Sequence, residues 1–482
     1  MSGFNRLLKN SISNIINGFS NIILGIIISP FLLKILSLDD FSIWNLALQI
    51  GTFFSLIGYA CQMTVARYIT TARKKEDINL EKDVIRKGVI LSIISIFFCL
   101  FIIFFCFINF SSFFHQIKPE LFTTARYCVA LISLSFVIGF FGSVFSGFFT
   151  GCERNDIPAI INLLSRILLG VVVIFIAKFG IVYMSIAFLT INILSYFSMY
   201  IFYMKNIHKS NSLDNKINEH VSIRKFAHYF MGMCGVNMSS FILIGMNGVL
   251  IGKYAFSEYS YYSLSMVLVT AAVGFISSAL LPTMQPMIRF YDNETKINNL
   301  LYELTVFVSL FIFILLVLSI YVSPFFLKLW VGTTVADKTL MIFLSLLSVN
   351  LVRLIGLPIS LFYFAKAKQN EIIYLPFIEA VISIAITIIL VNKFSVYAVP
   401  ISLFIAAVII FIIYSFKLVY IVGEKYRFFY RVLFLIYPIV ILGYMYLNVS
   451  YILNSYIGLI IVIPLFLLLL RKIKSIKNIL GS

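Results

Sequence analysis

The chain has 482 residues, of which 61% are hydrophobic, 16% aromatic and only 12% charged, with a mean hydropathy of +1.04. Soluble domains are roughly a quarter charged and under half apolar, so a water-soluble globular fold is excluded. The 37 Lys+Arg against 19 Asp+Glu give a formal charge of +18; set between long apolar runs, they read as the flanks of membrane helices and not as a nucleic-acid footprint.

Polar punctuation divides the chain into fourteen candidate spans, near 11–36, 41–66, 88–109, 121–148, 158–178, 181–204, 223–252, 256–282, 298–323, 339–363, 371–391, 395–416, 432–447 and 452–470. The runs are solid, not alternating, so they predict helices and not barrel strands. Span 1 follows Arg6 and Lys9. It lacks a small-residue cleavage site after a short apolar core, which predicts a retained helix and not a signal peptide. Its Asn10, Asn14, Asn17 and Asn21 share one stripe at spacings of 4, 3 and 4. Amides avoid lipid, so the stripe either bonds neighbouring helices or forms a wall for glycan hydroxyls.

Arg126 lies near the outer end of span 4, and Arg166 sits midway along span 5 with Asn162 and Ser165 close by. Span 7 repeats the amide theme with Asn237, Ser240 and Asn247, and span 10 carries Arg353 at its middle. Charge inside a membrane is expensive, so such residues face a cavity or a partner. An arginine fork suits phosphate oxygens, which makes Arg126, Arg166 and Arg353 candidate ligands for an anionic substrate. Span 11 carries Glu379, Ser383 and Thr387 at i, i+4 and i+8. That stripe has the oxygens for Na⁺, and Glu379 alone could carry a proton in a desolvated site. Two readings stay open for Glu379: a coupling group, or the ion-pair partner of Arg353 on the adjacent span. Pro30, Pro282 and Pro286 mark bends.

Several chemistries are not indicated. The six cysteines and four histidines lack paired or metal-ligand spacing, and there is no phosphate-binding loop. The outer loops are short and their acids isolated, which argues against a membrane enzyme. The side of each basic residue gives an independent check on the spans. The N-terminus, the even-numbered connections and the C-terminal tail hold 27 Lys+Arg, the opposite side holds 7, and three arginines fall within spans. Both termini are therefore expected in the cytoplasm.

Two internal matches suggest a repeat. Leu38–Leu48 aligns with Phe256–Met266 at an offset of 218 residues, and Phe179–Ile186 with Lys393–Pro400 at 214. They predict an all-α integral membrane protein of about 14 transmembrane helices, with two parallel six-helix lobes (1–210 and 211–420) around a central cavity and an extra C-terminal helix pair (421–482).

The motif that opens each lobe, Asp40-Phe41-Ser42-x-Trp44 and Glu258-Tyr259-Ser260-x-Tyr262, resembles that of a known transporter group, as do the Gly151-x-Glu153-Arg154 turn and the proline-bearing end of span 8. The group is the polysaccharide flippase branch of the multidrug/oligosaccharidyl-lipid/polysaccharide exporter superfamily. The resemblance covers spans 1–12. It implies translocation of undecaprenyl-pyrophosphate-linked O-antigen or similar units across a bacterial inner membrane, as by Wzx-type flippases, with Na⁺ or H⁺ as coupling ion and no other cofactor. The glycolipid, membrane lipids, and polysaccharide polymerase and chain-length proteins are the implied partners. A cation-coupled multidrug exporter of the same superfamily is the alternative; it would want acidic lumen residues, whereas three arginines and one glutamate lie within the spans.

Overall fold

The computed structural model describes residues 25–207, 222–280, 283–290, 293–366, 374–421 and 457–481, with isolated positions between 368 and 372 and between 426 and 443. The described residues form helices α1 (Gly25–Ile35), α2 (Leu38–Lys74), α3 (Ile78–Ile108), α4 (Phe122–Gly151), α5 (Asp156–Ile176), α6 (Ile181–Ile207) and α7 (Ile223–Tyr254). They continue with α8 (Tyr259–Leu280), α9 (Glu294–Val331), α10 (Thr333–Ala365, with a tight turn at Leu354–Gly356), α11 (Leu375–Phe394), α12 (Ala398–Ile421) and α13 (Ile457–Gly481). Nine stretches among the described residues are long and apolar enough to cross a membrane, and no strand occurs among them. The chain is an all-helical, multi-pass membrane protein. Helices α1 to α12 overlay candidate spans 1 to 12, and α13 overlays span 14. Span 13 and Asn10, Asn14, Asn17 and Asn21 fall largely or wholly outside the described residues.

Local chemistry sets the helix ends. The Ser37 hydroxyl accepts from the Asp40 amide at 3.1 Å at the start of α2, and the Asp77 carboxylate accepts from the Leu80 amide at 2.9 Å at the start of α3. The α5–α6 turn passes through Gly180 at φ +107°, and the α11–α12 turn through Ser395 at φ +48°. Both turns lie in the pair of segments that match at an offset of 214, with the positive-φ residue one position apart in the two.

The chain divides into two compact units, Met1–Ser260 and Tyr261–Ser482. In the first, α4 lies against α2 through glycines. A Cβ on Gly147 would come within 2.6 Å of the Gln62 carbonyl oxygen, and one on Gly151 within 2.7 Å of that of Ala66. Helices in lipid gain little from apolar burial against each other, so close backbone approach at small residues does that work. Val65, Ile69, Val84, Val144, Phe145 and Phe149 fill the space between α2, α3 and α4. The opposite face of α3 is a lipid face: Phe97 is 70% exposed and Phe101 68%.

Helix α7 also belongs to this unit. Gln49 donates to the Gly245 carbonyl at 3.1 Å, and Asn237 to that of Leu56 at 3.3 Å. The expected division at residue 210/211 follows the repeat, whereas compactness groups α7 with α2; side-chain amides bonded across to backbone carbonyls are the reason. In the second unit α13 docks on α9, with the Lys472 ammonium 2.9 Å from the Glu303 carboxylate and over the Tyr302 ring at 5.2 Å.

Candidate functional site

The polar groups inside the spans form separate nodes. In the second unit, Arg353 ends the first segment of α10, where its Nε donates to Glu379 Oε1 at 2.6 Å and its Nη1 to Asn350 Oδ1 at 3.1 Å. Both ionic side chains are largely buried. Of the two readings the sequence leaves open for this pair, the ion pair is the geometry found. Asn350 lies three residues before Arg353, on the same helix face. Sequence reasoning missed it, although an amide at that spacing was a readable signal.

Below the ion pair, the rest of the α11 stripe turns toward α12. Ser383 Oγ lies 3.4 Å and Thr387 Oγ1 2.6 Å from Ser402 Oγ, and all three side chains are fully buried. Ser402 donates to the Val399 carbonyl at 2.8 Å, so the short contact has Thr387 donating to Ser402. These oxygens knit two helices together. Ser402 was likewise missed; a lone serine in a strongly apolar span was the only clue.

The first unit holds a different node. Along the α4–α6 seam, Cys128 Sγ lies 2.8 Å from Ser185 Oγ, and Asn192 donates to Ser135 Oγ at 3.0 Å. One turn further, α4 presents Gly139 and Gly142. A Cβ there would meet the Tyr196 hydroxyl at 2.6 Å and its ring at 2.5 Å, so the two glycines make a groove that the tyrosine occupies. Arg166 of α5 lies beside this phenol, which is its electrostatic neighbour. No carboxylate among the described residues forms a salt bridge with it. Ser165 spends its hydroxyl on the Asn162 carbonyl of its own helix at 2.9 Å. Tyr196 and the glycine groove were not legible, because the contact joins residues more than fifty positions apart.

The span 7 amides serve the α2–α7 seam. Asn237 bonds the α2 backbone as above, and Asn247 is 1% exposed. Asn14, Asn17 and Asn21, their expected counterparts on span 1, lie outside the described residues. Arg126 sits at the opposite end of α4 from Gly151, with its guanidinium over the Phe107 ring at 4.7 Å and the Tyr127 ring at 5.6 Å. Among the described residues no cluster of three His, Cys, Asp or Glu is placed to hold a metal.

A helical membrane fold with isolated polar nodes in its spans defines a class, that of multi-pass helical membrane proteins. Residues 7–288 match the family model described as "Polysaccharide biosynthesis protein", and the chain belongs to that family. No curated protein sequence matches it. Among solved structures it is similar to the lipid II flippase MurJ in an inward closed conformation, at a TM-score of 0.64 and 16% identity over 91% of this chain and 99% of that one. It is also similar to an inward-facing multidrug resistance MATE transporter, at 0.62 and 14% identity over 83% and 94%. A third likeness is to a superfamily transporter from Pyrococcus furiosus whose binding pocket is described as reversed in polarity, at 0.53 and 15% over 86% and 95%. These likenesses establish that the chain shares the fold of those transporters and of that flippase.

Proposed function

We propose that the protein is a flippase that carries a polyprenyl-pyrophosphate-linked oligosaccharide, an O-antigen or similar repeat unit, across a bacterial inner membrane. The observation that carries this reading is Arg166, a cation within a span beside a phenol, with no salt-bridged acid among the described residues. A positive charge within a span left uncompensated favours an anionic guest, and a pyrophosphate is one. The family's description and the likeness to a lipid II flippase support the same substrate class. Two six-helix lobes opening alternately would take the headgroup through a polar lumen, with Arg166 as its first cationic contact and Asn14, Asn17, Asn21, Asn237 and Asn247 as candidate glycan contacts. Both termini would lie in the cytoplasm, and polymerase and chain-length proteins would receive the product.

Coupling to Na⁺ or H⁺ fits Glu379, whose protonation would release Arg353; Ser383 and Thr387 would supply further oxygens to a cation. The multidrug-exporter reading is weaker. A cationic drug needs an uncommitted acid, and Glu379 is already held by Arg353 at 2.6 Å. The test is a deletion strain complemented with wild type or Arg166→Glu. Lipid-linked repeat units stranded on the cytoplasmic leaflet are expected in the deletion and in the mutant, with the mutant protein still inserted. Normal surface glycan in the deletion strain overturns the flippase reading; full export by Arg166→Glu overturns the role of the arginine. Ion dependence left unchanged by Glu379→Gln removes Glu379 as the coupling group.

A further inference from the structure

Helix α2 is the least apolar of the nine spanning stretches. One side of it packs on α3 and α4 through Val65 and Ile69. The other side is open and polar. At 100° per residue, Gln49, Thr52, Tyr59, Arg67 and Thr70 fall within about 80° of one another, and the last three are exposed. Helix α3 shows a lipid face for comparison: its exposed residues from Ile90 to Ile108 are all Ile, Leu or Phe. A span face that is exposed and polar lines water or a ligand instead. There is room beside it. Helix α7 runs along α2, joined to it by the Gln49 and Asn237 bonds, and a Cβ on its Gly232 would meet nothing within 4 Å.

The sequence alone puts Arg67 just past span 2, among the basic residues that set topology. The helix instead continues to Lys74, so Arg67 stands about two turns inside its end. Basic neighbours at that end are committed: Arg73 to Glu81 at 2.6 Å, Lys87 to Asp83, and Arg154 to Asp156 at 3.5 Å. Arg67 has no salt bridge among the described residues. Its guanidinium lies over the Tyr229 ring of α7 at 4.2 Å, which orients the cation and leaves its charge uncompensated. A stacked guanidinium keeps its N–H edges free for an oxyanion. Tyr59 lies eight residues deeper in the span, about 12 Å along the helix, and is 48% exposed.

We propose that this face of α2 is a two-point binding site for the lipid-linked glycan, in which the Arg67 fork takes the pyrophosphate and the Tyr59 ring stacks on a sugar. The inference rests on the flippase reading and is independent of Arg166. The order of the two residues fits the substrate. Arg67 lies toward the basic-rich membrane surface, where a pyrophosphate tethered to a polyprenol is held, and the sugars extend from it into the span toward Tyr59. The C–H face of a pyranose packs on the negative face of an aromatic ring, and the phenol hydroxyl adds a donor and an acceptor for glycan hydroxyls. Tyr59 is then a specificity-determining residue: it reads the attached glycan, while Arg67 reads the carrier.

Binding to the purified full chain in nanodiscs tests it, with two probes: undecaprenyl pyrophosphate, and the lipid-linked repeat units extracted from the deletion strain. Arg67→Gln is expected to weaken both about tenfold, the size of one charge-assisted hydrogen bond. Tyr59→Ala should weaken only the glycan-bearing probe, by about fivefold, and Tyr59→Phe should keep most of that affinity. Both side chains are exposed, so these variants should unfold at the wild-type temperature. Wild-type affinity of Tyr59→Ala for the glycan-bearing probe, or an equal loss for both probes, overturns the stacking role. Undiminished binding of undecaprenyl pyrophosphate by Arg67→Gln overturns the anchor. A wild-type protein that binds neither probe overturns the flippase reading itself, an outcome distinct from failure of this site.

Discussion

The Arg353 node of the second unit and the Arg166 node of the first occupy matching places in the repeat. At the offset of 214 residues, Glu379 corresponds to Ser165, next to Arg166, and Arg353 corresponds to Gly139. In the second copy those positions hold an ion pair at 2.6 Å, closed further by Asn350. In the first, the glycine has made room for Tyr196, and Arg166 on the neighbouring helix has a phenol beside it where Arg353 has a carboxylate. One node neutralises itself. The other has no carboxylate paired with its arginine among the described residues, and in a medium as poor in counter-ions as a bilayer that difference is what the proposed anionic substrate would exploit.

The contrast can be broken most directly at the ion pair. Arg353→Ala or Glu379→Ala leaves its partner buried and uncompensated, at a cost of about 3 kcal/mol or more. Thermal unfolding in detergent should show the loss, and Arg353→Met with Glu379→Met should recover most of it, because the double variant leaves no charge behind. Arg166→Gln is expected to change unfolding by under about 1 kcal/mol, since no pair is broken. A melting profile for Arg353→Ala like that of wild type would erase the distinction between the nodes.

The glycine groove comes next in size. Gly142→Ala places a Cβ 2.5 Å from the Tyr196 ring and should destabilise by about 1–3 kcal/mol, the usual cost of overpacking. Because the displaced ring lies beside Arg166, glycan export should fall with it. Full export by a destabilised Gly142→Ala protein would uncouple groove and arginine. Ser402→Ala removes the bond to Thr387 and should cost about 0.6 kcal/mol, near the mean for interhelical hydrogen bonds in membranes; the same unfolding assay reads it.

The smallest effect is expected near the span ends, where the Lys118 ammonium of the α3–α4 connection donates to Asp39 in the first turn of α2 at 2.6 Å. That hydrogen bond, and then the Asp39 charge, hold the Lys118 pKa above its ordinary value. A raised lysine pKa stabilises the fold fully below the unfolded value of about 10.4, and the benefit disappears as pH climbs through the folded value. NMR of methylated lysines should therefore show Lys118 titrating later than the other surface lysines. Asp39→Asn should return it to them.

Much of this architecture is readable without coordinates. The helix positions and the sided distribution of Lys and Arg depend on runs of neighbouring residues, and helices α1 to α12 lie where the apolar runs are. The arginines that matter could be picked out too, because charge in an apolar run stands out in one dimension. Their roles could not. Arg353 and Glu379 could be named as a pair or as lumen groups, and both were consistent with their spacing. Asn237 could be a sugar contact or a helix tie, and it proves to bond the Leu56 carbonyl. Ser402, Tyr196 and the Gly139–Gly142 groove gave little or no warning, since each acts on a residue of another helix.

The amino-acid sequence alone determined that the chain spans a membrane many times, where its helices run and which of their ends collect basic residues. These follow from transfer free energy, which adds up residue by residue along a local stretch and needs no knowledge of neighbours. Only the tertiary structure decided which buried charge is neutralised, which hydroxyls tie helices together, and that α7 packs with α2. A polar group in lipid must find its partner across a helix interface, and which side chains meet there depends on the rotation and depth of every helix at once.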